Sequence, residues 1–392
     1  MSNEALERWP RWMGRIGQIV NDYIATLLHK RPSTGEPMAE LDGLRGFAVF
    51  LVLASHTNLW GLRGSGAVGV WLFFVLSSFL LTKIMLAKLP ASLGARELAK
   101  YVIRRIARII PVYYFCLALV AWEGGKTGEW FLRHCLFMAA DDHFWSIPQE
   151  EVFYLLLPIL VATVYGLNRW LRLPIAIGAG ILMFGIMARP PLFSLPGNFS
   201  QISFYLHIFI IGFFLAHLWS WDMMKKLRES KWFLPLANPL SIVCILILFS
   251  GGSKDHMEFY NKFISVPVVY QGWEHPTAFA VISAILLTIT ITPGSWAQQI
   301  FASKGIRLIG ILSFSLYLVH HRILTILNAK YAQEEGYMLF IETFILSLIL
   351  ALIFERFIER PSMYFGRQVN ARFGPMPATP SIQLQAVRPK VD

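Results

Sequence analysis

LDGLRGFAVFLVLASH, residues 41–56, is the stretch on which the reading of the chain turns. Apolar side chains fill it as they would a membrane helix, yet Arg45 and His56 stand inside it. At about 100° and 1.5 Å per residue, their eleven-residue spacing is three turns plus roughly 20°, so both share one face, about 16 Å apart in depth. Ionisable groups cost roughly 2.5–3.5 kcal/mol or more at a bilayer centre, so they require a polar cavity or a partner there. Each also has a structural reading, Arg45 as a topology cation and His56 as a ring bonded to a carbonyl. Their common face favours a site.

Composition supports a membrane setting. The 392 residues are 55% hydrophobic and 15% charged, against roughly 25% charged in soluble chains. The formal charge of +11 raises the question of nucleic acid, but the cations sit between apolar runs, where they report topology instead. Three cysteines, Cys116, Cys135 and Cys244, build neither a disulfide framework nor a zinc spacing. No signal peptide is read at the N-terminus.

The expected fold is all-α, a polytopic membrane bundle of about ten transmembrane helices. The apolar segments are 43–62, 66–86, 105–122, 147–167, 173–190, 201–221, 236–252, 276–293, 306–328 and 337–357, each able to cross a core of about 30 Å. Residues 1–40 carry an amphipathic, interfacial helix with Trp9, Trp12, Met13, Ile16, Val20, Tyr23, Ile24 and Leu27 on one side; packing against a neighbour is its other reading. Residues 41–361 form the membrane domain, and 362–392, rich in proline near the end, read as a disordered cytoplasmic tail. Alternating the sides puts 26 of the 35 Lys and Arg on the side of the N-terminus, so both termini are expected in the cytoplasm.

Four further stretches carry chemistry. In YVIRRIARIIPVYYF, residues 101–115, Arg104 and Arg108 share a face with Arg105 close by, able to grip an anion or simply to anchor at lipid phosphates. In FWSIPQEEVFYLLLP, residues 144–158, Glu150 or Glu151 can orient His56 or neutralise an arginine, while Trp145 and Tyr154 fit an interfacial belt. Asp141, Asp142 and His143 precede them, and no metal is assigned to them. ILSFSLYLVHH, residues 311–321, places His320 and His321 at the depth of His56. Ser77 and Ser78 read as packing residues.

These stretches together resemble the acyltransferase family 3 membrane enzymes, which include O-antigen and other glycan O-acetylases. Arg45, ten residues and His56 look like the family's Arg/Lys-x10-His motif. FFVLSSFLLTKI resembles FFVLSGFLI, Arg105 and Arg108 match RxxR, WSIPQEEVFYLLLP is similar to WSLxxEExFY, and SFSLYLVHH is similar to SYSLYLxH. The resemblance runs from about residue 41 to 361. Ser78 stands where the family has glycine and Pro148 interrupts the WSLxxEE pattern; many relatives add an esterase-like domain that is not expected here.

The resemblance implies an integral O-acyltransferase of the inner (plasma) membrane, moving an acyl group, acetyl in the commonest case, from cytoplasmic acyl-CoA to a glycan or lipid-linked sugar such as a lipopolysaccharide. Acyl-CoA would be a co-substrate, with no permanently bound cofactor and no metal. Arg45, Arg105 and Arg108 would hold the phosphorylated donor. His56 would act as base or nucleophile with Glu150 orienting it, and Asp42, Trp145, Ser146, Glu151, Tyr317 and His320 would line the substrate path. Rival readings are acylation of a small molecule or lipid, a transporter, or a scaffold.

Overall fold

In the computed structural model, residues 11–29, 38–139, 141–170, 205–253, 255, 256, 258, 276–330 and 336–374 are described. Among them no strand occurs, and apolar runs become helices because a helix satisfies its own backbone groups without water. The order is α1 (Arg11–His29), α2 (Ala39–His56), α3 (Gly66–Leu86), α4 (Ala95–Glu123), α5 (Gly128–Cys135) and α6 (Ser146–Trp170). After them come α7 (Leu206–Trp219), α8 (Asp222–Glu229), α9 (Phe233–Ser250), α10 (Pro276–Thr290) and α11 (Trp296–Phe301). The last are α12 (Lys304–Ile311), α13 (Ser313–Lys330), α14 (Tyr337–Phe354), a π turn at Glu355–Glu359 and α15 (Arg360–Ala371).

Five helical stretches are long and apolar enough to cross a membrane: α3, α4, 143–166, α9 and 337–371. Two bent pairs, α7 with α8 at 80° and α12 with α13 at 75°, raise this to seven. The expected count of about ten is therefore not reached among the described residues. α10 is short, α2 carries Glu40, Asp42 and Arg45, and 173–190 lies outside the described residues.

α2 is the axis of the bundle, packed by α3, α11, α12 and α13. Its glycines explain how closely. A Cβ on Gly43 would stand 1.8 Å from the Phe301 carbonyl oxygen, and one on Gly310 of α12 would stand 1.5 Å from that of Asp42. Small residues of this kind let helix backbones touch where lipid removes the hydrophobic drive and packing contacts remain. The segment expected as one span, 306–328, is bent at the buried Leu312, so that α12 lies against the start of α2 while α13 leaves at 75° and meets α2 at His56. α3 in turn packs on α7 through Gly212, with Phe74, Phe209 and Phe153 stacked at centroid distances of 4.4 Å.

The two departures from the family pattern are absorbed. Ser78 is fully buried, donates to the Phe209 carbonyl at 2.5 Å and fits because Gly212 faces it. Pro148 lies in the first turn of α6, where its missing N–H leaves no bond unmade.

At the ends, α1 packs on α12, and its Tyr23 donates to Glu355. Burial and that carboxylate both push the Tyr23 phenol upward, keeping it a neutral donor. Ile19 and Val20 of α1 remain exposed. Pro361, read as the end of the membrane domain, sits in the first turn of α15. That helix docks on α4: Ser362 donates to the Ala107 carbonyl at 2.7 Å and Lys100 Nζ to that of Gly374 at 3.0 Å. The packed body therefore extends to 374, past the expected boundary, because proline is a helix starter in that position as well as a breaker.

Candidate active site

His56 closes α2 and is an exposed residue, although Ser55 before it and Thr57 after it are buried. Its Nδ1 lies 2.8 Å from His320 Nε2, and the two rings stack 5.0 Å apart at 9°. His320 is fully buried on α13, and its Nδ1 lies 2.6 Å from the Tyr317 carbonyl oxygen. A carbonyl only accepts, so His320 Nδ1 carries the proton and its Nε2 is the acceptor when neutral. His56 Nδ1 must then donate, and His56 Nε2 is left with a bare lone pair. The assignment follows from the acceptor at the far end of the chain, by the same logic that fixes a catalytic imidazole's tautomer elsewhere.

The ring of residues around this pair is closed by the 3-10 turn at 142–145. Tyr317 donates to the His143 carbonyl and accepts from Ser146 Oγ at 2.8 Å, while His143 Nε2 donates to the Leu318 carbonyl at 3.0 Å. His143 stacks on His321 at 5.0 Å, and His321 meets His56 edge-on at 5.7 Å. His56 and His320 spend nitrogens on each other and on a carbonyl, and His143 spends Nε2 on another. Among the described residues no group of three His, Cys, Asp or Glu can hold a metal ion. Trp145 packs on Tyr205 at 4.8 Å and edge-on to Phe74, forming the aromatic wall of this end.

The other end is cationic. Arg45, partly exposed, faces Asp42 at 3.7 Å and lies within electrostatic reach of Arg108, Tyr154 and Glu150. Arg108 and Arg307 also act on Asp42. Arg307 donates to the Leu28 carbonyl at the end of α1 at 3.1 Å, while its Nε is buried with no partner. Arg105 sits over the Tyr154 ring at 5.6 Å, and its Nε too is buried without a partner. Buried guanidinium N–H groups without acceptors are uncommon and costly, so these two leave donors available for acceptor oxygens.

Of the two roles the sequence allowed Glu150, orienting His56 or neutralising an arginine, its contacts are those of the second: its Oε1 accepts from Ser77 at 2.7 Å and from Tyr154, and it lies within electrostatic reach of Arg45. The reason is direction: α6 starts beside α13 and carries Glu150 a turn inward, so His320, not a carboxylate, meets His56. Glu151 has a buried Oε1 with no hydrogen bond and feels Arg105 and Glu150. Arg307, His143 and the hydroxyls of Ser77 and Tyr154 join the site without having been assigned a role in it. His143, Ser77 and Tyr154 lie in stretches the sequence singled out for other readings, whereas Arg307, close to Lys304, entered only the count of topology cations.

A family model described as "Acyltransferase domain" matches residues 38–356. The chain is 29% identical over 360 residues to the "Peptidoglycan O-acetyltransferase OatA" of Listeria monocytogenes, covering 82% of this chain and 55% of the relative. It is 26% identical over 363 residues to the "O-acetyltransferase OatA" of Staphylococcus aureus, covering 82% and 56%. The chain thus spans a little over half the length of these relatives. No solved structure matches.

Proposed function

The chain belongs to the acyltransferase domain family, and from that premise we propose that it is an integral-membrane O-acetyltransferase. The acetyl group comes from acetyl-CoA and goes to a hydroxyl of an extracytoplasmic or lipid-linked glycan. The name of the Listeria relative makes peptidoglycan the first acceptor to try. The positive-inside count supports an inner-membrane protein with both termini cytoplasmic, the arginine end of α2 facing the cytoplasm and the histidine end facing out.

The observation that carries this reading is the hydrogen-bond chain from the Tyr317 carbonyl through His320 to His56, which leaves His56 Nε2 as the unprotonated nitrogen of the neutral ring. Arg45, Arg105, Arg108 and Arg307 hold the phosphates of the donor, Arg through its planar multidentate fork. The acceptor's O–H proton passes to His56 Nε2 as its oxygen bonds to the thioester carbonyl carbon. The C–S bond breaks, and the CoA thiolate leaves and is protonated. His320 is a positioning residue in this scheme. Glu150, bonded to Ser77 and Tyr154, balances the arginine charge and keeps Tyr154 against Arg105.

The test is the melting temperature of the purified protein with and without saturating acetyl-CoA. A ligand bound only by the folded state at 100 times its Kd adds about 2.7 kcal/mol, an easily read shift. The shift should persist in His56→Ala and shrink in Arg105→Ala. A folded wild-type protein unmoved by any acyl-CoA overturns the reading.

A further inference from the structure

At the turn from α7 into α8 the chain bends by 80°, and α8 presents two different sides. Met224 and Leu227 face a groove of about 360 Å³ between α8, α9 and α10, which Trp232, Leu236, Leu240 and Ile285 also line. Lys225 and Lys226 are exposed on the same helix, and so is Lys231 in the following turn. Asp222 and Glu229 lie on the same helix, leaving the stretch 222–231 with an excess of two positive charges once Arg228 is counted.

The groove continues onto a bare apolar surface. Leu236 is 70% exposed, and Leu240, Val243, Leu246 and Ile247 follow it down α9. Trp232 is exposed at the mouth with Lys231 5.3 Å over its ring, and Arg228 stacks 3.5 Å over Trp219. A short helix perpendicular to a spanning helix, basic on one side and apolar on the other, with tryptophans at its ends, matches the boundary between headgroups and acyl chains. Exposed lysines at that depth select for negative charge, and the apolar groove beneath them has the polarity of an acyl chain.

We propose that this groove binds one anionic diacyl phospholipid, its phosphate at Lys225, Lys226 and Lys231 and one acyl chain lying between Leu227, Leu236 and Leu240. The site is separate from the His56 and Arg45 ends of α2 and does not depend on the acyltransferase reading.

The full chain, purified in detergent, is mixed with equal amounts of dioleoylphosphatidylglycerol and dioleoylphosphatidylcholine, and the adducts are counted by native mass spectrometry. The first adduct should be the anionic lipid by about tenfold or more, as expected for three lysines near one phosphate. Lys225→Gln/Lys226→Gln/Lys231→Gln should bring the ratio near one. Leu240→Trp should lower occupancy by the anionic lipid at unchanged melting temperature. Equal occupancy by the two lipids in the wild type overturns the proposal, as does an unchanged ratio in the triple variant, or a dimer without lipid as the species that fills the surface. Should Leu240→Trp fail to fold, the wild-type ratio and the triple variant decide the question.

Discussion

Replacing His320 by Leu tests the site at the point where the structure departs from the sequence reading. The substitution keeps an apolar side chain of similar bulk in a fully buried position, but it removes the acceptor of His56 Nδ1–H and the donor to the Tyr317 carbonyl. One net hydrogen bond between neutral groups is worth about 0.5–1.5 kcal/mol, and a partner left unsatisfied raises the loss to about 1–3 kcal/mol. If that energy holds His56 in the tautomer with a free Nε2, turnover should fall roughly five- to 150-fold, reaching only the lower end of the general-base contribution of 10²–10⁴. His320→Gln offers an amide oxygen to the same Nδ1–H and should recover part of the loss. The assay is CoA release from acetyl-CoA by membrane vesicles containing acceptor, read with a thiol reagent at saturating donor. The loss should fall on kcat, with the acetyl-CoA melting shift intact. A His320→Leu protein with wild-type kcat, or one whose defect lies wholly in donor affinity, refutes the role given to His320.

His56→Ala should lose at least about a hundredfold in turnover while folding and binding donor normally, checked by the same assay and by melting. Arg105→Ala should weaken acetyl-CoA binding by roughly ten- to 150-fold, the worth of a charge-assisted hydrogen bond, measured by titrating the melting shift. Glu150→Gln should alter donor affinity before it alters kcat, since its partners are Ser77 and Tyr154; a pure kcat defect would return it to His56. Gly310→Ala should cut folded yield and melting temperature sharply because its Cβ would meet the Asp42 carbonyl, whereas Gly305→Ala, with open space, should be near neutral.

The helical class and the two chemical ends were legible because membrane burial makes ionisable residues conspicuous. Arg45, His56, Arg105 and Arg108 stand out of apolar runs whatever the fold. What stayed hidden was which residue faces which. Helical periodicity gives the face of a residue on its own helix and says nothing of the rotation of a neighbour, so Glu150 was assigned to His56 when His320 takes that place. The bend within one expected span was hidden for the same reason. Hydropathy sees 306–328 as continuous, but the break at Leu312 is set by Gly310 docking on the Asp42 backbone, a contact between stretches far apart in sequence. Pro361 shows the limit of a single-residue signal, since a proline reads the same at the start of a helix as at its end.

That break has a mechanical consequence. The bent segment carries Arg307 on its first arm and His320 on its second, with one buried residue between them. An anion drawn to Arg307 competes with the Leu28 carbonyl for the same guanidinium, and any shift of α12 is delivered through Leu312 to the helix that fixes the His56 tautomer. If the proposed donor binds there, occupancy at one end and alignment at the other would share a coupling free energy, which by linkage runs in both directions.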